Sequence, residues 1–307
     1  MGSEMCIRDS LAKLRDGKDA LVWVEKSQAV LAALKQEIGD TPQGQKELSD
    51  ILLTLAEQLK QQFDQLENNE QRKFFADGLE SFLAGLGTNS DDRNLLLMTG
   101  RMTSEIGQGL KSNGLDSQAV RFFKQARQVY ESLRDGGKAD DPRVQVEILR
   151  GLANSMRGTG EYQQAIKQWG DILSDPKYRR FTELQVEATR VYSEWGLDKQ
   201  DAAILVKATR GGEPREDERG RNSNTIMGWS NLAKAAQRSG KKALLAEAIY
   251  NIAACKFRYG VIKGETKFQE TAIKEVERFK ENNPEMGGQQ WKTRLETLLA
   301  TMQKEKG

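Results

Sequence analysis

Apolar residues recur at spacings of three and four along most of the chain, the period of one face of an amphipathic helix. This pattern predicts helices over residues of about 19–38, 43–67 and 70–86. The Ser-Asp-Asp sequence at 90–92 is typical of a helix N-terminal cap and predicts that another helix follows. The pattern therefore favours helices throughout and predicts helical hairpins within residues 11–90.

From about residue 91, one order of large and small residues occurs around three glycines, Gly114, Gly160 and Gly240. The residues of this pattern are Ile106, Gly107, Ala119, Phe123 and Ala126; Leu149, Leu152, Ala153, Tyr162, Ala165, Trp169 and Ile172; and Trp229, Leu232, Ala233, Leu245, Ile249 and Ile252. Each central glycine is predicted to end the first helix of a pair, because glycine accepts the left-handed conformation of a C-terminal cap. Small residues are expected where helices approach closely, and large ones where a side chain fills a groove.

This pattern resembles the tetratricopeptide repeat (TPR), a helix–turn–helix unit of about 34 residues. The resemblance covers residues of about 100–133, 146–179 and 226–259, and a degenerate unit lies at about 183–216. Each hairpin leaves one apolar face uncovered, so the units are expected to stack. The resemblance implies an all-α fold without a sheet, a right-handed α-α superhelix of about twelve helices.

The predicted organisation has four parts after the first ten residues. Divergent hairpins occupy 11–90, TPR-like repeats 91–216, a further repeat 217–260, and capping helices 261–307. The polar stretch 211–224 is rich in turn formers and is predicted to be a mobile loop. A binding insert is the alternative interpretation of that stretch.

The C-terminal region is predicted to hold two helices after Gly260, over about 263–282 and 288–304. Asn283 and Pro284 separate them, since proline does not continue a helix. The last helix has one apolar and one polar side, which is what a helix that caps a stack of repeats requires.

The first ten residues, MGSEMCIRDS, lack the organisation of a signal peptide. They resemble a translated sequencing-adaptor scar, so we expect residues 1–10 to be non-native and the native chain to begin further upstream. A native signal, anchor or catalytic domain would then be missing. Localisation is therefore left open, with the cytoplasm as the default.

Composition narrows the classes of function. Hydrophobic residues make up 37% and charged residues 30% of the chain, which fits a thin core with much solvated surface. The net charge of +2 arises from 47 basic and 45 acidic residues, a balance that argues against a nucleic-acid partner. No run of about 18 apolar residues is present, so no membrane span is expected.

The residue types also argue against common catalytic chemistry. Histidine is absent, which removes Ser–His and Cys–His pairs and imidazole metal ligands. The two cysteines, Cys6 and Cys255, form no CxxC motif, and Cys255 lies on an apolar helix face beside Ile252. It is predicted to be a small core residue. We therefore expect a protein that is not an enzyme and that uses no cofactor and no metal.

Polar residues at spacings of three, four and seven share one face of the first helix in each clear unit, and we expect these positions to be exposed. They are Arg150, Asn154 and Arg157; Asn231, Lys234 and Arg238; and Arg101, Ser104, Gln108 and Lys111. In TPR arrays the first helices line the concave face, and some of these proteins hold peptide carboxylates with Lys, Arg and Asn there. The resemblance implies partner binding by the first six residues, through charge-assisted hydrogen bonds. Plain solvation of a helix face is the simpler alternative.

The predicted function is a non-catalytic scaffold that binds a peptide or helix of another protein in a concave groove. One alternative is a structural or assembly subunit that packs against its own copies or bridges a larger complex. The other is the C-terminal interaction region of a larger enzyme whose catalytic domain is missing. Light scattering separates the first two through the oligomeric state, and the complete reading frame tests the third.

Overall fold

The computed structural model describes part of the chain: scattered residues between 41 and 66, then 68–88, 92–137, 141–216 and 222–306. The helix expected at about 19–38 and the proposed scar at 1–10 lie outside the described residues. The residues described between 43 and 63 are helical, as the pattern predicts.

Twelve helices and two strands are present between residues 69 and 306. The helices are α1 Asn69–Thr88, α2 Arg93–Ser112, α3 Asp116–Asp135, α4 Pro142–Gly158, α5 Tyr162–Ser174, α6 Pro176–Arg179, α7 Thr182–Asp198, α8 Ala202–Arg210, α9 Trp229–Arg238, α10 Lys242–Lys263, α11 Thr266–Asn282 and α12 Gln289–Lys306. The strands are β1 Gly211–Glu216 and β2 Asn222–Met227, which pair antiparallel. The predicted helical class is confirmed, and the expectation of no sheet is wrong.

The chain forms two compact units, residues 1–161 and residues 162–307. The boundary falls between α4 and α5, within the stretch 146–179 that resembles one repeat. In the first unit α2 packs on α3 and α3 packs on α4. In the second unit α7 packs on α8, and α10 packs on both α9 and α11.

Local sequence sets the ends of the first clear hairpin. The Asp92 carboxylate accepts hydrogen bonds from the backbone N–H groups of Asn94, at 2.8 Å, and Leu95, at 3.1 Å, and so caps α2. Gly114, with φ of +75°, forms the turn between α2 and α3. The predicted hairpin around Gly114 is therefore confirmed.

Phe123 of α3 packs into a space that two glycines leave open. A Cβ atom added at Gly107 of α2 would lie 3.2 Å from the ring, and one added at Gly158 of α4 would lie 2.2 Å from it. A distance of 2.2 Å is well inside van der Waals contact, so the helices approach the ring closely only because both positions are glycine. The sequence pattern predicts a small residue at Gly107 and a groove-filling residue at Phe123, but neither their contact nor the contribution of Gly158.

A second aromatic ring is held between two glycines in the same way, seven residues from the first on each of the three helices. Tyr130 of α3 lies between Gly100 of α2 and Gly151 of α4. Added Cβ atoms there would lie 2.9 Å and 2.2 Å from the Tyr130 Cζ atom, respectively. A spacing of seven is close to two helical turns, so both aromatic rings lie on one face of α3. We call the Gly100–Tyr130–Gly151 arrangement the tyrosine window.

In the second unit, a stripe of buried polar residues on α7 holds the β-hairpin. Gln185 donates from Nε2 to the Thr225 carbonyl, at 3.1 Å, and its Oε1 accepts from the Met227 N–H, at 2.8 Å. Thr189, one turn along, lies 2.6 Å through Oγ1 from the Met227 carbonyl oxygen. Ser193, a further turn along, accepts a 2.6 Å hydrogen bond from the indole N–H of Trp229. The side-chain amide of Gln185 thus pairs with β2 much as a neighbouring strand would.

The other strand is also attached to α7. The Tyr192 hydroxyl donates a 2.9 Å hydrogen bond to the Glu213 carboxylate, and Gly212 lies so close that an added Cβ would be 2.3 Å from that hydroxyl. Residues 211–216 and 222–227 are therefore a docked hairpin, which corrects the prediction of a mobile loop at 211–224. Residues 217–221, between the strands, are not among those described.

The long helix α10 continues through Gly260 and ends at Lys263, before Gly264 with φ of +68°. The helix predicted from about 263 begins at Thr266 instead, because residues up to Lys263 belong to α10. An added Cβ at Gly260 would lie 2.9 Å from the carbonyl oxygen of Glu265, so this glycine allows the chain to turn tightly into α11. The core of α10, α11 and α12 includes Ala253, Phe257, Ala272, Val276, Phe279, Leu295 and Met302.

Candidate partner-binding surface

Two helices of the first unit, α2 and α4, lie side by side and are joined by polar side chains. Arg101 of α2 forms an ion pair with Glu147 of α4. Arg157 donates from Nη2 to the Gln108 Oε1 atom, at 2.9 Å, near the other end of the two helices. We call this surface the α2/α4 face, which consists of Arg101, Ser104, Glu105, Gln108, Glu147, Arg150, Asn154 and Arg157.

Three of the six residues predicted to bind a partner lie on the α2/α4 face, with unequal exposure. Arg150 is exposed and Asn154 is half-buried. Arg157 is only 8% exposed, so its predicted place among exposed positions is wrong. Its guanidinium turns towards Gln108 of the neighbouring helix, a contact that the spacing within α4 did not indicate.

The other three predicted residues, Asn231, Lys234 and Arg238, lie on α9 in the second unit, and all three are exposed. The nearby Lys241 pairs with Glu183 of α7 at 3.2 Å. Three of the six predicted residues thus lie in each unit. In the first unit, Arg150, Asn154 and Arg157 of α4 lie on the same face as the polar residues of α2, among them Arg101.

Tyr130 reaches the α2/α4 face from α3, and the predicted site does not include it. It is 3% exposed, and burial raises the pKa of its hydroxyl above the ordinary range. Glu147 raises this pKa further, whereas Arg101 and Arg150 lower it. The phenol is therefore protonated at neutral pH and able to donate a hydrogen bond. The signal in the sequence is the seven-residue repeat of glycines at 100 and 107 and at 151 and 158.

The described residues contain no group of three or more acidic or cysteine side chains positioned to bind a metal ion. A partly buried ion pair of the second unit joins Arg190 of α7 to Glu247 of α10, with Nη2 and Oε2 2.8 Å apart. Its second contact makes the pair bidentate, a geometry that fixes α7 against α10.

No helix in the described ranges is long and apolar enough to cross a membrane.

The Cys255 thiol is fully buried in α10, as predicted for a core residue, and burial raises its pKa to about 12. At pH 8 almost none of this thiol is thiolate, the form that reacts with disulfide reagents. We expect a Cys6→Ser variant, whose remaining thiol is Cys255, to react at least about a hundredfold more slowly when folded than in denaturant. Absorbance with an aromatic disulfide reagent measures both rates. Comparable rates would contradict the buried position.

No protein-family model matches the chain, and no curated protein matches it. The resemblance to the tetratricopeptide repeat therefore rests on the residue pattern alone. The α2/α4 face, with its paired charges and the tyrosine window beneath it, is the surface from which a function is inferred.

Proposed function

We propose that this protein is a non-catalytic scaffold built from stacked TPR-like hairpins, and that it binds a peptide or helix of a partner protein. The α2/α4 face is the proposed binding surface. The observation that carries this proposal is the side-by-side packing of α2 and α4, whose polar side chains form one continuous surface. Helix α3 lies behind them and contributes the two aromatic rings.

The bonds between the helices support this proposal because they order the surface before a partner arrives. Arg101 is oriented by Glu147, and Gln108 is oriented by Arg157. Lys60, from the helical segment before α1, lies 3.4 Å from Glu105 of α2 and extends the ordered row. Side chains that are already ordered lose less conformational entropy on binding, which leaves more of the contact energy as affinity.

The charges on the face indicate the chemistry of the partner. Arg101 and Arg150 offer guanidinium donors, and Glu105 and Glu147 offer carboxylate acceptors. Such a mixed surface fits a polar peptide segment with at least one carboxylate, because charge complementarity selects among partners and accelerates encounter. The proposed ligand is therefore a peptide with an acidic side chain or a free carboxyl end.

An array of random 15-residue peptides, each with a free or an amidated carboxyl end, tests this function. We expect the wild-type chain to bind a subset of the peptides, and Arg150→Ala to weaken that binding by about tenfold or more. This corresponds to one charge-assisted hydrogen bond in a desolvated contact. Lys234→Ala is the matched control, an exposed basic residue of the other unit, and we expect no change from it. Fluorescence anisotropy measures each affinity.

Each alternative result has a definite meaning. Absence of any bound peptide would overturn the proposed function and favour the assembly role, which light scattering then tests. Weaker binding by Lys234→Ala but not by Arg150→Ala would move the binding surface to the exposed residues of α9. Binding through the charged contacts is also expected to weaken as salt is added, because salt screens exposed charges.

A further inference from the structure

Two exposed apolar residues of the second unit lie at the start of α7, where the chain before this helix runs beside the end of β2. Gln185 donates from Nε2 to the carbonyls of Arg179 and Thr225, at 3.1 Å in each case, and so joins the two segments. Its own N–H donates to the Phe181 carbonyl, and its Oε1 accepts from the Met227 N–H. The main chains of Phe181 and Met227 are therefore held by the same buried residue.

The side chains of these two residues remain accessible to solvent. Phe181 is 50% exposed and Met227 is 36% exposed. Isolated apolar residues are ordinary on a protein surface, whereas apolar residues that share one place and have a polar rim are typical of interaction sites. The surface at the start of α7 is therefore a candidate docking site.

The charges around this surface are not balanced. Lys177 and Arg180 are exposed, and neither forms an ion pair in the described part of the chain. The acidic groups close by in the sequence are already engaged. Asp175 caps α6 by accepting from the Lys177 N–H, at 2.7 Å, and Glu183 pairs with Lys241 at 3.2 Å. The surface thus offers two positive charges beside its apolar side chains.

Phe181 also occupies a position where local structure favours another type of residue. It is the N-cap of α7, and its side chain makes no capping hydrogen bond. Helices α2, α4, α6 and α8 have an aspartate at this position, and its carboxylate accepts from backbone N–H groups. An apolar N-cap residue costs helix stability, and departures from such local preferences are expected at functional sites. Because half of Phe181 is exposed, packing offsets little of this cost.

We propose that Lys177, Arg180, Phe181 and Met227 form a docking site for a short acidic segment of a partner protein. We call this surface the Phe181 patch. An apolar side chain of the segment contacts Phe181 and Met227, and carboxylates on either side of it pair with Lys177 and Arg180. The inference goes beyond the proposed function, because the patch belongs to the second unit and includes no residue of the α2/α4 face.

The small size of the Phe181 patch favours a peptide over a lipid surface. Two basic residues attract an anionic membrane only weakly, and stable attachment takes a polybasic cluster or a lipid chain. A short peptide needs only one apolar side chain and two carboxylates to match all four residues of the patch. The proposed partner is therefore an acidic peptide segment.

Short synthetic peptides of three kinds test the docking site. One set has a leucine or a phenylalanine between glutamates, the second has lysines in place of the glutamates, and the third has alanine in place of the apolar residue. We expect only the first set to bind the wild-type chain, with an affinity that falls as salt is added. Equal binding of the first two sets would overturn the inference, because charge would then not select the partner.

Phe181→Ser separates docking from stability. We expect this variant to bind the glutamate peptides about tenfold more weakly, since an apolar contact is lost. Its urea midpoint should be unchanged or higher, because serine is a preferred N-cap residue. Val261→Ser is the matched control, since Val261 is 39% exposed on α10 of the same unit, and no change in affinity is expected from it. Equal affinity of Phe181→Ser and the wild type would overturn the inference.

Arg180→Glu is a second variant, which keeps the aromatic ring and changes only an exposed side chain. We expect it to weaken binding of the glutamate peptides about tenfold or more, whereas Lys267→Glu, the same change of charge at an exposed position of α11, has little effect. Loss of binding in Arg150→Ala but in neither patch variant would assign these peptides to the α2/α4 face. That result would overturn the docking site and leave the proposed function intact.

Vesicles of phosphatidylcholine, with and without phosphatidylserine, test a lipid partner. We expect no difference in cosedimentation between the two kinds of vesicle. Binding to the anionic vesicles that Phe181→Ser abolishes, without binding of any glutamate peptide, would overturn the inference and assign the Phe181 patch to a membrane surface.

Discussion

Gly151→Ala is expected to destabilise the protein by about 2 kcal/mol or more, although alanine is normally the better helix former. The new Cβ atom would lie 2.2 Å from the Tyr130 Cζ atom, and the ring has no free space, since it is held on its other side by Gly100. Either α4 or the ring must move, and strain in a packed core of this kind commonly costs about 1–3 kcal/mol.

Gly85→Ala is the control, because Gly85 lies inside α1 and an added Cβ would meet no atom of the described residues within 4 Å. We expect this variant to be more stable by about 0.5–1 kcal/mol, the ordinary gain of alanine over glycine in a helix. Urea unfolding measures both variants. The double variant Gly151→Ala/Tyr130→Leu should recover part of the loss, since a smaller side chain then fills the window. If Gly151→Ala behaved like Gly85→Ala, the tyrosine window would not exist in solution.

Gln185→Ala is expected to cost about 3 kcal/mol of stability. The substitution removes a hydrogen-bond partner from three backbone groups, the carbonyls of Arg179 and Thr225 and the N–H of Met227. Gln185 itself is 1% exposed. Each buried group left without a partner costs about 1–3 kcal/mol. The loss should be largest at the base of the hairpin, because Tyr192 still holds the other strand through Glu213.

Hydrogen exchange at the Met227 amide measures the local effect of Gln185→Ala, and urea unfolding measures the global one. We expect the variant to lose most of the protection at Met227 while the amides in the middle of α10 keep theirs. Gln237→Ala is the control, since Gln237 is exposed on α9, and a change within about 0.5 kcal/mol is expected. Unchanged protection at Met227 would show that Gln185 does not hold the hairpin.

Within the described residues, the sequence alone was sufficient for the helical class and for the turns at Gly114 and Gly240. Both signals are local: an apolar stripe has the period of its own helix, and a left-handed turn needs glycine where it occurs. The same local argument placed Cys255 in the core, because it shares a helix face with apolar neighbours.

The β-hairpin was not predictable in this way. Its strands include Gly211, Pro214 and several polar residues, and they show no alternation of apolar and polar positions that would indicate a strand. Their conformation depends on Gln185 and Tyr192, which lie on α7, before α8 and the hairpin in the chain. A local pattern contains no information about such partners, so the stretch was interpreted as a loop.

The proposed binding surface shows the same division. The spacing within α4 correctly placed Arg150, Asn154 and Arg157 along one helix, but only the packing of α2 beside α4 decided that Arg157 is buried. Tyr130 has the sequence signal of an ordinary core residue, and only the glycines of two other helices bring its hydroxyl to the face. The sequence by itself thus determined the helices and their apolar sides, because these depend on neighbours in the chain. The tertiary structure decided which polar groups are exposed, because exposure depends on residues that other helices contribute.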